Sequence, residues 1–204
     1  MDGATKKYIE TVKVSDIPWH RLTTSYGRAT DFPAYLEVLW DMKDVDAIDA
    51  AGEELSQNIE HQSTLWHATP FAMVFLLRIF KKALEERTQN EVAHYLVERL
   101  VDLFTVIAEC IRDGLMLEHA DPLPKFEDML NEEYLWSEEY DEDEDILRYE
   151  EEEVFPDDLF FSFYYYSLQV LLLCKPLLDK NKEREAVLLD LLTEIKDYGT
   201  HCKL

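Results

Sequence analysis

The strongest constraint on the fold of this chain is a long amphipathic pattern that ends at Gly114. Thr88 and Glu91 fit a capping box, in which the threonine hydroxyl accepts from the backbone N–H of Glu91 and the glutamate side chain reaches back to Thr88. Gly114 is expected to end the helix in the left-handed conformation that glycine adopts easily. Between these ends, apolar residues recur on one helical face with a 4-4-3-4-4 spacing, at Val92, Leu96, Leu100, Leu103, Ile107 and Ile111. The pattern predicts an amphipathic α-helix over residues 88–114.

Five further helices are predicted from periodicity and helix-end residues, over residues 30–40, 46–60, 69–82, 159–178 and 181–198. Thr69 is expected as an N-cap with Pro70 as the first helical residue, because proline lacks an N–H that would have no partner there. Residues 71–80 are apolar on nearly all sides, so this helix should be central. Asn181 and Gly199 are expected to begin and end the last helix.

Composition favours helices over strands. The chain of 204 residues contains only five glycines and seven prolines, too few for the turns of a many-stranded barrel or sandwich, whereas 47% of its residues are hydrophobic. A chain of this length can bury a substantial core in one domain, so a single helical domain over residues 1–204 is predicted. Its fold class is all-α, either stacked antiparallel helix pairs in a short α-solenoid or a helical bundle. Residues 8–14 are interpreted as a short extended arm.

Negative charge is concentrated between residues 118 and 158, which we call the acidic segment. It has nineteen acidic residues against two basic ones, Lys125 and Arg148, a balance of −17 within a net charge of −24. Such charge attracts a basic partner and disfavours nucleic acid and anionic membranes. The segment is predicted as an acidic insertion or loop that binds a basic protein. The candidate binding residues are Trp136, Glu138, Glu139, Tyr140, Asp141, Glu142, Asp143, Asp145 and Tyr149.

Aromatic residues interleave with these acids, and three interpretations stay open. Tryptophan and tyrosine are frequent anchors at protein interfaces, where carboxylates speed the approach of a basic partner. The same aromatics can instead hold the segment against its own domain, with the acids as a solvated face. The third interpretation is a nucleic-acid mimic that occupies a basic cleft. Direct binding of DNA or RNA is not expected, because the chain has twenty lysines and arginines among forty-four acids.

His61 and His67 are weak candidates for a metal site. Imidazole suits zinc, which takes about four ligands, but two residues at this spacing of six would not share a helical face. The favoured interpretation is that His61, Gln62, Thr64 and Thr69 hydrogen-bond the backbone of a tight interhelical loop. A metal-dependent hydrolase that uses both histidines and nearby carboxylates is the alternative function.

The acidic segment also contains the spacing of a calcium loop. Asp141, Asp143 and Asp145 alternate, and Glu152 stands at the twelfth place. A calcium loop of this type turns at a glycine in position six, where this chain has Ile146. Specific calcium binding is therefore not expected, and no cofactor is predicted.

Two features bear on location. The cysteines, Cys110, Cys174 and Cys202, are three in number with no CxxC motif, and the N-terminus has no apolar signal core, which indicates a reducing cytoplasm. Residues 159–174 carry no charge, but polar residues interrupt them, so a buried helix is predicted in place of a membrane span. A structural subunit that forms homo-oligomers through this helix is a further alternative function.

A polar patch lies near the N-terminus, formed by Arg21, Thr23, Thr24, Ser25, Tyr26 and Arg28. It could hold a small anion, or it could be a looping segment with internal hydrogen bonds, as serine and threonine turns commonly are. The second interpretation is favoured. The chain has no nucleophile elbow and no phosphate-binding glycine loop, so no catalytic residue is predicted and the protein is expected not to be an enzyme.

One run resembles a segment of bacterial HEAT-like repeat proteins. It reads NIEHQSTLWHATPFA at residues 58–72 and continues to FLLRI at residues 75–79. In that family an N-I-x-H-Q-x-T, A-T-x-x-A, F-L pattern connects the two helices of a repeat. Residues 19–33 also look like the segment that precedes it, so the resemblance covers roughly residues 19–85.

The resemblance implies a HEAT-like short α-solenoid, with an irregular helical bundle as the alternative. Some proteins of this kind look like immunity or accessory proteins of bacterial toxin systems. Together with the charge, the resemblance predicts a cytoplasmic, non-enzymatic protein-binding module of the immunity type, which neutralises a basic partner through its acidic surface. The acidic segment departs from a plain repeat.

Overall fold

The computed structural model describes residues 3–114, 120–149 and 155–201, and this part of the chain is mostly helical. Its α-helices are α1 (Gly3–Thr11), α2 (Phe32–Asp41), α3 (Val45–Ile59), α4 (Ala68–Glu86), α5 (Glu91–Gly114), α6 (Glu142–Tyr149), α7 (Asp157–Leu172) and α8 (Glu183–His201). Two small antiparallel hairpins pair β1 (Thr23–Thr24) with β2 (Gly27–Arg28) and β3 (Glu60–His61) with β4 (Thr64–Leu65). The all-α prediction is confirmed.

The helices pack as neighbours in two rows. α2 contacts α4 and α4 contacts α7, whereas α3 contacts α5 and α5 contacts α8. Contacts of α2 with α3 and of α4 with α5 join the rows. One continuous hydrophobic core extends from Ile9 in α1 to Ile195 in α8. These contacts fit a helical bundle, and the regular stacking of a HEAT-like solenoid stays a prediction.

Helix α4 is central, as its composition predicts. Every residue from Ala68 to Leu77 is buried, and Phe71, Phe80 and Met73 are among the largest fully buried side chains. The helix begins at Ala68, one residue before the predicted N-cap. The Thr69 hydroxyl accepts from the backbone N–H of Trp66 and donates to the carbonyl of Ile59, so it bonds the backbone of the loop before α4.

Helix α5 ends at the predicted residue, Gly114, but begins at Glu91 and has different end groups from those predicted. Asn90 caps it, because its Oδ1 accepts from the backbone N–H of Val92 at 2.9 Å and of Ala93 at 3.3 Å. The capping box at Thr88 is therefore wrong by two positions. Gly114 does not take the left-handed conformation; instead it gives room to Tyr164, whose ring would lie 2.4 Å from a Cβ at this position.

Two other predictions about the chain ends are wrong. The N-terminal segment forms helix α1 in place of an extended arm, because Ile9 and the following Val12 pack into the core. At the other end, α8 begins at Glu183 and continues through Gly199 to His201, so this glycine does not stop it. Within the described ranges, none of the helices is long and apolar enough to cross a membrane.

The two hairpins were not expected from the sequence, which predicted only loops there. Each precedes a core helix: β1–β2 leads into α2 and β3–β4 into α4. Gln62 and Ser63, with φ of 51° and 61°, form the tight two-residue turn of the second hairpin. The first hairpin contacts the end of α3, since Thr24 donates to the side chain of Asn58 at 2.9 Å and Ser25 N–H donates to the backbone carbonyl of Asn58 at 3.2 Å. It also meets the second hairpin, where the Tyr26 hydroxyl lies 3.3 Å from Nε2 of His61.

Candidate protein-binding surface on the acidic segment

The described part of the acidic segment, residues 120–149, is packed against the helices. A short 3-10 helix, Phe126–Leu130, inserts Phe126 into the core, where its ring centroid lies 5.2 Å from that of Phe71 and 5.0 Å from that of Tyr166. The Tyr166 hydroxyl also donates to the carbonyl of Leu123 at 2.6 Å. The prediction of an acidic insertion or loop thus corresponds here to an ordered stretch with its own 3-10 helices and α6. Residues 118, 119 and 150–154 of the segment lie outside the described residues.

Arg21 is the first anchor between the helical part and the acidic segment. Its Nη2 lies 2.5 Å from Oε1 of Glu132, and its Nη1 lies 3.0 Å from the other oxygen of that carboxylate. Nη1 also donates to Glu138 at 3.2 Å, and Nε donates to the carbonyl of Trp136. The hydrogen bond that Arg21 donates to Glu132 is the main cause that raises the pKa of Arg21, so the guanidinium stays charged.

Arg28 is the second anchor, and its ion pair is buried. Its Nε and Nη2 donate to the two carboxylate oxygens of Asp145 at 2.7 Å and 2.6 Å, and the two side chains are only 5% and 6% exposed. Nη1 donates to the carbonyl of Ser137 at 2.8 Å. The guanidinium lies 5.4 Å from the ring centroid of Trp136 and 5.3 Å from that of Tyr140. Removing one partner of such a pair leaves a buried charge without compensation, at a cost of about 3–5 kcal/mol.

The polar patch predicted near the N-terminus therefore meets the acids of its own chain. Its two arginines bind Glu132, Glu138 and Asp145 in place of a small external anion. Internal hydrogen bonds, the favoured interpretation, are also present, because the Thr24 hydroxyl accepts from the backbone N–H of Tyr26 at 3.2 Å.

His20 completes this cluster at the surface. Its Nε2 lies 2.8 Å from Oε2 of Glu138, and both side chains are largely exposed. The hydrogen bond with His20 is the main cause that lowers the pKa of Glu138, with the charge of Arg21 as a further cause. Glu138 therefore stays ionised while it joins the two parts of the molecule.

The predicted binding residues differ in how far they are exposed and paired. Trp136 and Asp145 are buried, at 6% and 4% exposure, and Glu138 is exposed but paired. Tyr149 is the last residue of α6, and its side chain lies outside the described part. The other predicted residues face solvent, and Glu144 joins them: Glu139, Tyr140, Asp141, Glu142, Asp143 and Glu144. As contacts to a partner, all nine predicted residues stay predictions.

Helix α6 explains the aspartate alternation without calcium. Asp141 precedes the helix and caps it, because its Oδ1 accepts from the backbone N–H of Glu144 at 3.0 Å. Asp143 then faces solvent, while Asp145 points inward to Arg28. Asp143 and Asp145 therefore lie within a helix that Asp141 caps, and Glu152 lies outside the described residues.

His61 and His67 lie in different surroundings. His67 is fully buried, its ring stacks on Phe163 with centroids 5.1 Å apart, and its Nε2 lies 2.7 Å from the carbonyl of Met129. Burial lowers the pKa of His67 to about 4. His61 lies on the surface, 3.3 Å from the hydroxyl of Tyr26. Within residues 3–114, 120–149 and 155–201, no three His, Cys, Asp or Glu side chains are grouped to hold a metal ion.

The pairing of Arg21 and Arg28 with the acidic segment was not predicted from the sequence. Arg28 and Asp145 are 117 residues apart, so no local spacing connects them. The available signal was electrostatic: two arginines in one polar patch need counter-charges when they are buried, and the acidic segment supplies most of the excess carboxylates. Glu132, which binds Arg21, was likewise not among the predicted residues.

Comparisons with known proteins give no relative for this chain. No protein-family model matches it, and no curated protein or solved structure matches it either. The resemblance of residues 19–85 to HEAT-like repeat proteins therefore stays a prediction that rests on those residues alone.

Proposed function

We propose that this protein is a non-enzymatic binding module whose acidic segment binds a basic surface of another protein. The observation that carries the proposal is the exposure of Glu139, Glu142, Asp143 and Glu144 on a stretch that Arg28 and Arg21 hold in place. Because these residues are already held in a folded stretch, binding a partner would cost less conformational entropy than ordering a flexible loop would.

Two properties of this surface favour a basic protein as the partner. Clustered carboxylates raise the association rate with a positively charged surface, and the net charge of −24 opposes contact with phosphate backbones. Apolar side chains stand beside the acids, since Tyr140 is 67% exposed and Ile146 is 55% exposed. Aromatic and aliphatic groups of this kind supply the desolvated contacts that charges alone do not give.

The finer proposal concerns the kind of partner. Together with the resemblance to HEAT-like proteins of bacterial toxin systems, the acidic surface supports an immunity-type role in the cytoplasm. In that role the protein would neutralise a cationic toxin domain by covering its basic surface.

The test separates exposed acids from those that hold the segment in place. The surface variant combines Glu139→Gln, Glu142→Gln, Asp143→Asn and Glu144→Gln, and it leaves Glu138 and Asp145 intact because both bind arginines. A control variant removes the same charge from exposed positions on α4, α5 and α8, with glutamine in place of Glu85, Glu98, Glu109 and Glu194.

The experiment is affinity capture from host lysate with the wild type, the surface variant and the control, at about 50 mM and about 300 mM salt. We expect a basic protein that the wild type and the control retain and the surface variant loses. Calorimetry with the purified partner should then show a weaker affinity for the surface variant alone. Equal capture by all three proteins, or no specific capture by the wild type, would contradict the proposal.

A further inference from the structure

A large pocket lies between three parts of the chain: residues 13–19 after α1, helix α2 and helix α4. We call it the N-terminal pocket. Its volume is about 770 Å³, within the roughly 300–1,000 Å³ that is usual for small-ligand sites. Its walls are mainly apolar and include Val14, Ile17, Trp19, Leu36, Phe75 and Ile79. Among the described residues of the acidic segment, none lines this pocket.

Arg78 is the unusual residue of this pocket. Its guanidinium lies 5.1 Å from the ring centroid of Phe75, and its Nη1 and Nη2 donate to the carbonyls of Val12 and Ile9, each at 2.6 Å. Among the described residues it forms no ion pair, although the chain has forty-four acids. Burial also lowers the pKa of Arg78, as expected for a cation without a counter-ion.

The guanidinium retains capacity for a ligand. An arginine carries five N–H donors, and the two carbonyls take two of them. A carboxylate is the natural acceptor for the remainder, because charge-assisted bonds to arginine are among the strongest hydrogen bonds in proteins. A neutral or cationic ligand would leave the charge of Arg78 uncompensated.

A second cation, Lys13, also lines the pocket and favours a negatively charged ligand. Lys13 is exposed and forms no ion pair with the described residues. Lys82 lies beside the lining residue Trp40, with its Nζ 4.7 Å from the ring centroid, but it is not in the lining and it pairs with Glu86 at 3.8 Å. Glu37 is the opposing charge in the lining. The lining therefore carries two cations, Lys13 and Arg78, against one carboxylate, in a strongly acidic protein.

We propose that the N-terminal pocket binds a small amphipathic carboxylate, with its apolar body against Trp19 and Phe75 and its carboxylate on Arg78 and Lys13. Burial of the apolar body supplies affinity in proportion to the area removed from water, and the two cations select the charge of the head group. This site is separate from the acidic segment, so a test of ligand binding here does not depend on the function proposed above.

Three ten-carbon probes that differ in head group test the proposal: decanoate, decanol and decyltrimethylammonium. Calorimetric titration below the micelle-forming concentration measures each affinity for the full chain. We expect decanoate to bind at least about tenfold more tightly than the other two, since a charge-assisted contact to arginine contributes on that scale. Decanoate should also raise the Tm, because it binds the folded state.

Variants place the binding in the pocket. Arg78→Gln should lower the decanoate affinity by about tenfold and leave decanol binding unchanged, whereas Arg78→Lys should retain most of the preference for decanoate. Arg78 also holds two carbonyls near the end of α1, so a second variant avoids the core. Ser15 is an exposed lining residue, and Ser15→Trp should fill the mouth and abolish binding of all three probes with the Tm of the free protein unchanged.

The outcomes are decisive in both directions. Preferential decanoate binding that is lost in Ser15→Trp and in Arg78→Gln supports the site. The proposal is overturned by absence of decanoate binding to the wild type at millimolar concentration. It is equally overturned by equal affinity for the anionic and cationic probes, or by a decanoate affinity that Ser15→Trp leaves unchanged.

Discussion

Helix α4 and residues 131–146 of the acidic segment are held in the molecule by different interactions. In α4, every residue from Ala68 to Leu77 is buried, so apolar burial holds the helix. Across residues 131–146 of the acidic segment only Leu135, Trp136 and Asp145 are buried. Here two arginines supply the attachment. A stretch rich in carboxylates can thus be ordered by a few well-placed cations, where the helices rely on many small apolar contacts.

The two arginine anchors also differ from each other. Arg28 and Asp145 are both buried, so solvent and salt screen their attraction weakly. Arg21 is buried, but its partners Glu132 and Glu138 have side chains that are 80% and 71% exposed. Exposed carboxylates contribute little to stability, so Arg28 should be the more important anchor.

The largest expected effect comes from breaking the buried pair. Arg28→Met should lower the free energy of unfolding by about 3–5 kcal/mol, because Asp145 is left buried without its counter-charge. Urea unfolding measures this change, and limited proteolysis should show earlier cleavage within the acidic segment.

The double variant Arg28→Met with Asp145→Leu is the control for this prediction. Replacing both charges with apolar groups removes the uncompensated carboxylate, so much of the lost stability should return. A loss below about 1 kcal/mol in Arg28→Met would place the pair among ordinary surface ion pairs. That result would mean that Arg28 contributes no more to stability than Arg21 does.

A second prediction concerns His67, which lies just before α4 and bonds the carbonyl of Met129 in the acidic segment. Burial between aromatic rings lowers its pKa from 6.5 to about 4. The unfolded chain therefore binds a proton below pH 6.5 that the folded protein does not bind until about pH 4. Stability should fall as the pH is lowered through this window, by about 3 kcal/mol in total.

Comparison with His67→Gln isolates this contribution, because the carboxylates titrate in both proteins. Between pH 7 and pH 4, urea unfolding should show the wild type losing about 3 kcal/mol more than the variant. Parallel stability curves would mean that His67 is protonated as readily in the folded protein as in the unfolded chain.

The contrast between apolar burial in the helices and long-range ion pairs in the acidic segment explains how much of the structure the sequence predicts. The apolar periodicity of α5 and the apolar composition of α4 lead to the correct helices, because each helix buries residues that its own spacing identifies. The hairpin turn at Gln62 and Ser63 was not predicted, because neither residue is typical of positions with positive φ. Tertiary context decides such turns.

The candidate surface was only partly predictable. Charge density identified the acidic segment, but it did not tell Asp145, which points to Arg28, from Asp143, which faces solvent. That difference depends on the orientation of α6 against a hairpin more than a hundred residues earlier in the chain. The sequence therefore predicts where the acids are, and the fold decides which of them are free to meet a partner.

A third prediction compares two glycines in the helical part. Gly114→Ala should destabilise the protein by about 1–3 kcal/mol, because the new Cβ would lie 2.4 Å from a carbon of the Tyr164 ring. The Tyr164 hydroxyl accepts a hydrogen bond from the backbone N–H of Leu65, so the ring has little freedom to shift. Thermal and urea unfolding measure the change.

Gly52 is the matched control, because nothing lies within 4 Å of a Cβ at that position in α3. Gly52→Ala should stabilise the protein by about 0.5–1 kcal/mol through helix propensity alone. Opposite signs for the two substitutions are the expected result. Stabilisation by both would mean that the Tyr164 ring moves easily.

The smallest expected effect decides which residue caps α5. Asn90→Ala should cost about 1 kcal/mol, because its Oδ1 accepts from the N–H groups of Val92 and Ala93 at the start of the helix. Thr88→Ala should change the free energy of unfolding by less than about 0.5 kcal/mol, since Thr88 is exposed and lies outside the helix. Urea unfolding of the two variants under one set of conditions measures the difference. A larger loss for Thr88→Ala would restore the capping box that the sequence alone suggests, and it would mean that α5 begins at Gln89.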